Sequence, residues 1–466
     1  MNRLPRILST AVLTAFVVVS AQAQAPNNPP GNAPAAPGAG APGAPGARRG
    51  GGPGVESGPG SAYRSPEVNA DNSLTFRLLA PNAKSARVIT DMPKLGQVTV
   101  HGSAGYDMVK GENGIWSYTT PPLTPSYYQY WFIVDGLTTP DPMNTFVRPA
   151  TGTPGVYKSV VGVPGKEAEF MMFRDVPHGN LTEHHYLNTE NKTARRVVVY
   201  TPPDYHTSGK SYPVIYLLHG FNDSERGWTQ SGMAHNIMDN LIAEGKAVPA
   251  IIVMPFGHNA TTSMGKVAEI AYTQKSLGFT PPPAAARGAG RGAAGAPGAG
   301  GAPAGAAAAA PAAGGRGGGI GGPTADGWSM EKEILNYVIP LVEKEYRVIK
   351  HKDSRAIMGY SMGGGHATSI GFGHPEVFSH VGGMSGGGAG LITSSPERSA
   401  TANKDYKMIF VGSGTEDGAI NGARTSHQAM TAQNIKHIFS EDVGYGHDYQ
   451  VWRLYLYRLA QLTFRN

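Results

Sequence analysis

Two textures of hydrophobic patterning divide the chain. From Ser61 to about Gly165, short runs alternate apolar with polar positions: Leu74-Thr75-Phe76-Arg77-Leu78-Leu79, Ala86-Arg87-Val88-Ile89-Thr90 and Val98-Thr99-Val100. Turn signals at Pro81-Asn82, Glu112-Asn113-Gly114 and Thr138-Thr139-Pro140 separate them. Period-two strands at this spacing predict a small β-sandwich. Gly114-Ile115-Trp116-Ser117-Tyr118 and Tyr127-Tyr128-Gln129-Tyr130-Trp131-Phe132 are its aromatic strands. Alternation puts half of those rings in the core and leaves the others for cross-strand pairs or a stacked sugar.

After a connector at Val163-Pro164-Gly165 the runs become continuously apolar. Tyr212-Pro213-Val214-Ile215-Tyr216-Leu217-Leu218-His219-Gly220-Phe221 is a strand of the kind buried on both faces of a parallel sheet, ending in a small-residue loop. A strand at Val197 to Tyr200 precedes it, and further strands fall at Ala250 to Met254, Ala356 to Met358, Val381 to Met384, Met408 to Gly412 and His437 to Phe439. Helical periodicity lies between them at Met233 to Ala243, Trp328 to Tyr346 and Arg424 to Gln433. Strands alternating with helices predict a mostly parallel sheet with helices on both faces.

Composition changes this picture in three places. The first 23 residues carry Arg3 and Arg6, an apolar stretch from Ile7 to Val19 and the cleavage-like Ala21-Gln22-Ala23, the pattern of a secretory signal peptide. Residues 24–60 and 280–323 are almost wholly Gly, Ala, Pro and Arg, in a chain with 64 Gly and 37 Pro. They have too little to bury and are expected to be a disordered tether and a disordered insertion. The formal charge of +6 resides in the same tracts. Setting aside residues 1–60 and 281–322 leaves 32 basic and 32 acidic residues, so no electrostatic footprint for nucleic acid remains. Cysteine is absent, and His, Asp and Glu do not cluster at ligand spacings, so neither a metal nor another cofactor is expected.

The chemistry centres on Gly359-Tyr360-Ser361-Met362-Gly363. An apolar run precedes it and small residues follow, so the pentapeptide reads as strand, sharp turn and helix, with Ser361 exposed on the turn as a nucleophile. A serine hydroxyl needs a base and an acid that orients the base, in chain order Ser, acid, His for this architecture. His447, on the glycine-flanked loop Gly444-Tyr445-Gly446-His447, is the best base; His366, His374, His380, His427 and His437 sit on helices or before or within strands. The acid belongs after the Met408 to Gly412 strand, where Glu416 and Asp417 compete, with Asp448 a third choice. Backbone N–H groups of Met362 and Phe221 are the candidate oxyanion donors. Trp228, His258 and Trp328 are candidate pocket residues.

Two resemblances extend this reading. Thr75-Phe76-Arg77, Ala80-Pro81-Asn82-Ala83, Gly114-Ile115-Trp116, Tyr128-Gln129-Tyr130, Val134-Asp135-Gly136 and Asp141-Pro142 resemble the early-set immunoglobulin-like domain related to glycogen-binding modules. The Ser361 pentapeptide, the Thr415-Glu416-Asp417 loop, the Gly446-His447 loop, Leu217-Leu218-His219-Gly220 and Ile252-Val253-Met254-Pro255 resemble carbohydrate esterase family 1. That esterase D-like group includes feruloyl and acetylxylan esterases. Gly444 to Trp452 follows its terminal Gly-x-x-His-x-x-x-x-Trp pattern with one extra residue before His447.

The resemblances imply an α/β hydrolase domain over residues 166–466, preceded by a small all-β immunoglobulin-like sandwich over residues 61–165. They also imply Asp417 as the acid and a secreted or periplasmic serine esterase acting on feruloyl or acetyl esters of plant polysaccharide. A siderophore triester hydrolase is the alternative, a mycolyl-type acyltransferase a more distant one, and a non-catalytic carbohydrate-binding protein the alternative of another class. The implied partner is a polysaccharide or oligosaccharide ester, without nucleic acid and without membrane after signal cleavage. Nothing in the sequence forbids a homo-oligomer.

Overall fold

The computed structural model describes residues 63–92, 104–149, 157–221, 223–258 and 328–465. The expected signal peptide, tether, glycine-rich insertion and Val98–Val100 strand lie outside the described residues.

Residues 67–163 form ten strands in two antiparallel sheets. They are β1 (Glu67–Val68), β2 (Leu74–Leu79), β3 (Ala86–Thr90), β4 (Ala104–Asp107), β5 (Val109–Lys110), β6 (Ile115–Thr119), β7 (Ser126–Val134), β8 (Leu137–Thr139), β9 (Val147–Pro149) and β10 (Tyr157–Val163). One sheet runs β1-β2-β6-β5 and the other β4-β3-β7-β10-β9, with β8 added to β7. They share one core, in which Leu74, Phe76 and Leu78 of β2 and Trp116 of β6 meet Val88 of β3 and the β7 rings. The period-two pattern of β7 is followed: Tyr128, Tyr130 and Phe132 are fully buried inward, while Trp131 on the outer face lies under the Lys158 ammonium.

The second part is an eight-stranded sheet of β11 (Asn180–Asn188), β12 (Thr193–Thr201), β13 (Val214–Leu218), β14 (Ile251–Pro255), β15 (Arg355–Tyr360), β16 (His380–Met384), β17 (Met408–Gly414) and β18 (Ile438–Asp442), in the order β11-β12-β14-β13-β15-β16-β17-β18. Strands β13 to β18 pair in parallel. Strands β11 and β12 pair antiparallel with each other, and β12 with β14. Strand β11 has no counterpart in the sequence reading. Its burial follows no alternation, because it is a polar edge strand, and the apolar signal used for the other strands is missing there.

Period-two alternation along the central strands sorts their side chains onto two faces. Ile215, Leu217, Ile252, Met254, Ala356 and Met358 form one core with α1 (Ala234–Ala243) and the terminal helix α4 (Tyr449–Leu462). Val214, Tyr216, Leu218, Ile251, Val253 and Ile357 form the other with α2 (Met362–Gly373), α3 (Ile420–Ala432) and the helical segment 330–345. That segment contains a π-helical stretch, Glu333–Val338, within which Glu333 is buried against Arg195. Val160 of β10, Ala168 and Met171 belong to the first of these cores, so the all-β part and the sheet domain are packed into one hydrophobic unit.

Parallel register brings the strands' carboxyl ends to one edge: Leu218 lies beside Gly359, Tyr360 beside Met384, Met384 beside Gly412 and Gly414 beside Asp442. The loops following β13, β15, β16, β17 and β18 therefore emerge together, where open α/β sheets place their sites. Among the described residues no helix is long and apolar enough to cross a membrane.

Ile252 is fully buried between sheet and helices. Ile252→Ala is expected to cost about 2–5 kcal/mol in chemical denaturation, whereas Val109→Ala, at a position 73% exposed, should stay within about 0.5 kcal/mol of the parent.

Candidate active site

Ser361 occupies the turn between β15 and α2 with φ 54° and ψ −121°. A non-glycine residue held at positive φ is strained, and strain of this kind persists only where the surroundings enforce it. Here they are close-packed backbone. A Cβ on Gly363 would lie 2.5 Å from the His219 carbonyl oxygen, one on Gly359 2.5 Å from the Gly363 oxygen, and one on Gly386 2.2 Å from the Ser361 oxygen. These glycines let the β13, β15 and β16 loops converge. The Ser361 N–H donates to the Met384 carbonyl at 2.8 Å, tying the turn to the neighbouring strand.

His447 follows β18, and its Nδ1 is 3.0 Å from each carboxylate oxygen of Asp417, in the loop after β17. Asp417 is 2% exposed, and its carboxylate also accepts from the Ala419 N–H at 2.8 Å and from the Ser385 hydroxyl. Burial alone would raise its pKa; the hydrogen bonds and charge of His447, with those of Ser385 and Ala419, outweigh burial and hold the carboxyl below its ordinary value. Of the three acids open in the sequence, Glu416 is exposed and Asp448 caps α4 by accepting from the Gln450 N–H. Asp417 is the one on His447. Trp452 stands edge-on to the His447 ring at 5.1 Å and donates through Nε1 to Ser385 Oγ at 2.9 Å.

The β13 loop carries the expected oxyanion donor Phe221, 52% exposed. Met362 opens α2, where first-turn N–H groups lack intrahelical partners. Between the two loops, a Cβ on Gly220 would lie 3.3 Å from the Ser361 Cβ. His219 fastens the loop: its buried Nε2 accepts from the Gly257 N–H at 2.8 Å, so Nδ1 carries the proton given to the Gly220 oxygen, also at 2.8 Å. Burial, with His258 nearby, pushes His219 down to about 3, so the ring is a neutral brace.

The expected pocket residues have different places. Trp228 is a correction: it is fully buried, donates through Nε1 to the Leu218 oxygen at 3.1 Å and packs edge-on beneath Tyr360 and Tyr449, so it supports the site from below. Trp328 is likewise core, 7% exposed, donating to Glu333 at 2.8 Å under the Arg195 guanidinium. Large aromatic residues near a site pack at least as often as they line it. His258, half-buried, does lie beside the oxyanion loop, 5.5 Å ring to ring from Phe221, and burial depresses its pKa.

Sequence reasoning missed Asp223, two residues after Phe221. This fully buried carboxylate accepts from the Tyr360 hydroxyl at 2.8 Å, the Tyr449 hydroxyl at 2.6 Å, the Ser224 N–H at 2.9 Å and the Arg148 guanidinium at 2.9 Å. Burial would raise its pKa; the Arg148 guanidinium first, and the tyrosine hydroxyls, bring it below its ordinary value. Its side-chain partners are 75 to 226 residues away, and the only local sign is a charged cluster after an apolar strand. Among the described residues no group of three or more His, Cys, Asp or Glu is placed to hold a metal ion.

A serine on an enforced turn and a carboxylate-bound histidine, on loops that leave one edge of a mostly parallel sheet, are features of α/β-hydrolase esterases. The esterase family model matches residues 189–275 and 319–459. An endo-1,4-beta-xylanase/feruloyl esterase of Xylanibacter ruminicola is 29% identical over 411 residues, 86% of this chain but 46% of the relative, so the chain spans about half of that relative's length. The enterobactin esterase of Shigella flexneri, solved in the presence of 2,3-di-hydroxy-N-benzoyl-glycine, matches at 17% identity and TM-score 0.52, over 84% of this chain and 93% of that one. A ferulic acid esterase from Anaeromyces mucronatus matches at 18% identity and TM-score 0.44, over 69% and 97%. By these matches the chain is similar to carboxylic ester hydrolases of the esterase family. Within them it is similar to the feruloyl esterases of carbohydrate esterase family 1.

Replacing Asp417 by Asn should remove the orienting charge on His447 and lower kcat by about 10³- to 10⁴-fold, as for a mis-oriented triad histidine. Glu416→Gln should leave kcat within about twofold in the same p-nitrophenyl ester assay, since Glu416 is exposed away from the ring.

Proposed function

We propose that the protein is a secreted serine esterase that removes feruloyl or acetyl groups from plant cell-wall polysaccharide such as xylan. The observation that carries this reading is the bidentate Asp417–His447 contact at the same sheet edge as the positive-φ Ser361. The xylanase/feruloyl esterase relative supports the polysaccharide ester as substrate class.

In this mechanism the Ser361 hydroxyl attacks the ester carbonyl while His447 Nε2 takes its proton, and Asp417 stabilises the imidazolium through Nδ1. The negative charge that develops on the carbonyl oxygen is met by the Met362 and Phe221 N–H groups; loss of one such donor typically costs about 3–4 kcal/mol. Collapse expels the sugar hydroxyl with the proton held by His447, leaving an acyl ester on Ser361. A water then gives its proton to His447 and attacks the acyl carbon, and the second collapse restores the serine and releases the acid. No step calls on a metal or cofactor.

The all-β part fits an early-set immunoglobulin-like domain, its two sheets sharing one core. A leader cleaved after residue 23 would deliver the enzyme outside the cytoplasm, where xylan is met. A second reading, a catecholate triester hydrolase, draws on the enterobactin esterase fold match, which spans both parts of this chain.

One assay separates these readings. Wild type is expected to release ferulate from methyl ferulate or acetate from acetylated xylan, and Ser361→Ala to release neither. Turnover of a catecholate triester in place of both would favour the second reading, and hydrolysis surviving in Ser361→Ala would remove Ser361 from the mechanism. Polysaccharide binding with no ester turnover by wild type would favour a non-catalytic binding protein.

A further inference from the structure

We propose that Arg148, which belongs to the all-β part, is a positioning residue for the active site of the sheet domain and acts through Asp223. The inference rests on the serine-esterase reading above. Arg148 lies on β9 and is 4% exposed. Its Nη2 donates to Asp223 Oδ1 at 2.9 Å and its Nη1 to Ser231 Oγ at 2.6 Å and, more weakly, to Gln129 Oε1 at 3.3 Å.

What makes this contact more than an interface pair is what else Asp223 holds. Its Oδ2 accepts both the Tyr360 and Tyr449 hydroxyls, which also lie 2.6 Å from each other. Tyr360 is the residue before Ser361, Tyr449 is two residues after His447, and Asp223 itself is two residues after Phe221. The segments bearing nucleophile, base and one oxyanion donor thus meet at a single buried carboxylate. A Cβ on Gly227 would lie 2.3 Å from that carboxyl group, so the carboxylate is enclosed on this side as well. The neighbouring rings are locked too: Tyr360 stacks on Trp452 at 3.8 Å, and Trp452 holds the Ser385 hydroxyl that Asp417 accepts.

A buried carboxylate keeps its charge only if a counter-charge is supplied. Here it comes from across the interface. Arg148 is the cation in contact with Asp223; burial would discharge the guanidinium, and Asp223 together with the Tyr449 and Tyr360 hydroxyls outweighs it. An ionised Asp223 accepts hydrogen bonds from both tyrosines at once. A protonated one would carry a donor of its own and would reverse or lose one of these contacts. The geometry therefore makes the all-β part a constituent of the catalytic centre. A second arginine reinforces the docking: Arg453 of α4, 1% exposed, donates to the Ser231 oxygen at 2.7 Å, to Ser126 Oγ at 3.1 Å and to the Tyr127 oxygen at 3.2 Å.

The test compares wild type, Arg148→Met, Arg148→Lys, Tyr449→Phe and the double variant Arg148→Met/Asp223→Asn in the full chain, reading kcat and KM on methyl ferulate alongside circular dichroism and Tm. Displacement of reacting groups by about 1 Å can cost 10²-fold in rate. Arg148→Met is therefore expected to lower kcat by about 10- to 100-fold with KM within about threefold. Lys should restore part of the loss, and so should neutralising both partners in the double variant. A folded Arg148→Met protein with wild-type kcat and a lowered Tm would overturn the inference, leaving Arg148 an interface residue alone. If Arg148→Met does not fold, Tyr449→Phe, which removes one hydroxyl without a buried charge, decides: unchanged kcat contradicts the proposal and a selective fall in kcat supports it. Loss of turnover in Ser361→Ala with full turnover in the Arg148 variants would reject the positioning role and leave the esterase mechanism standing. Turnover surviving in Ser361→Ala would reject both.

Discussion

The buried Asp223 carboxylate is the constraint on which the arrangement of the site depends. A carboxylate removed from water is tolerated only when its charge is balanced and its lone pairs are filled, and Asp223 meets both conditions with groups drawn from four separate stretches of chain. Removing one partner of such a pair commonly costs about 3–5 kcal/mol, whereas the intact pair adds little net stability over an apolar replacement. Geometric definition is what the pair supplies. It fixes Tyr360 before Ser361, the start of the helix after His447 and the Phe221 loop relative to one another. Those segments leave different strands, so without a common anchor each would be set only by its own turn.

The rest of the site is rigid for reasons that are mostly steric. Ser361 is held at positive φ because Gly359, Gly363 and Gly386 admit backbone where any side chain would collide. His219 is uncharged because it is buried, and being uncharged it can both accept from Gly257 and donate to Gly220. Asp417 stays ionised despite burial because His447, Ser385 and Ala419 surround it with donors. Buried polar groups of this kind lose little by reorganisation when charge develops in a reaction, which is the source of electrostatic preorganisation.

How much of this was legible in the sequence follows from the range of each interaction. The apolar strands β13, β14, β16 and β17 could be read because residues buried on both sides leave continuous hydrophobic runs; the polar edge strand β11 leaves none. The strand-turn-helix context of Ser361 was local and readable. Spacing alone left Glu416 and Asp417 side by side, because adjacent residues on a loop point apart and only the folded loop decides which faces His447. Trp228 and Trp328 stay open between pocket and core in the sequence, because ring size and proximity to motif loops do not distinguish a wall from a floor; both are buried. Arg148 gave no sign at all, since its partner is 75 residues away in another part of the chain.

In the proposed mechanism ester cleavage passes through a covalent bond to Ser361, which peptide mass mapping of enzyme acid-quenched during turnover of a feruloyl ester would detect. A single acyl adduct is expected on the peptide containing Ser361, absent from Ser361→Ala. Turnover with no adduct, or with an adduct on a peptide lacking Ser361, would contradict it.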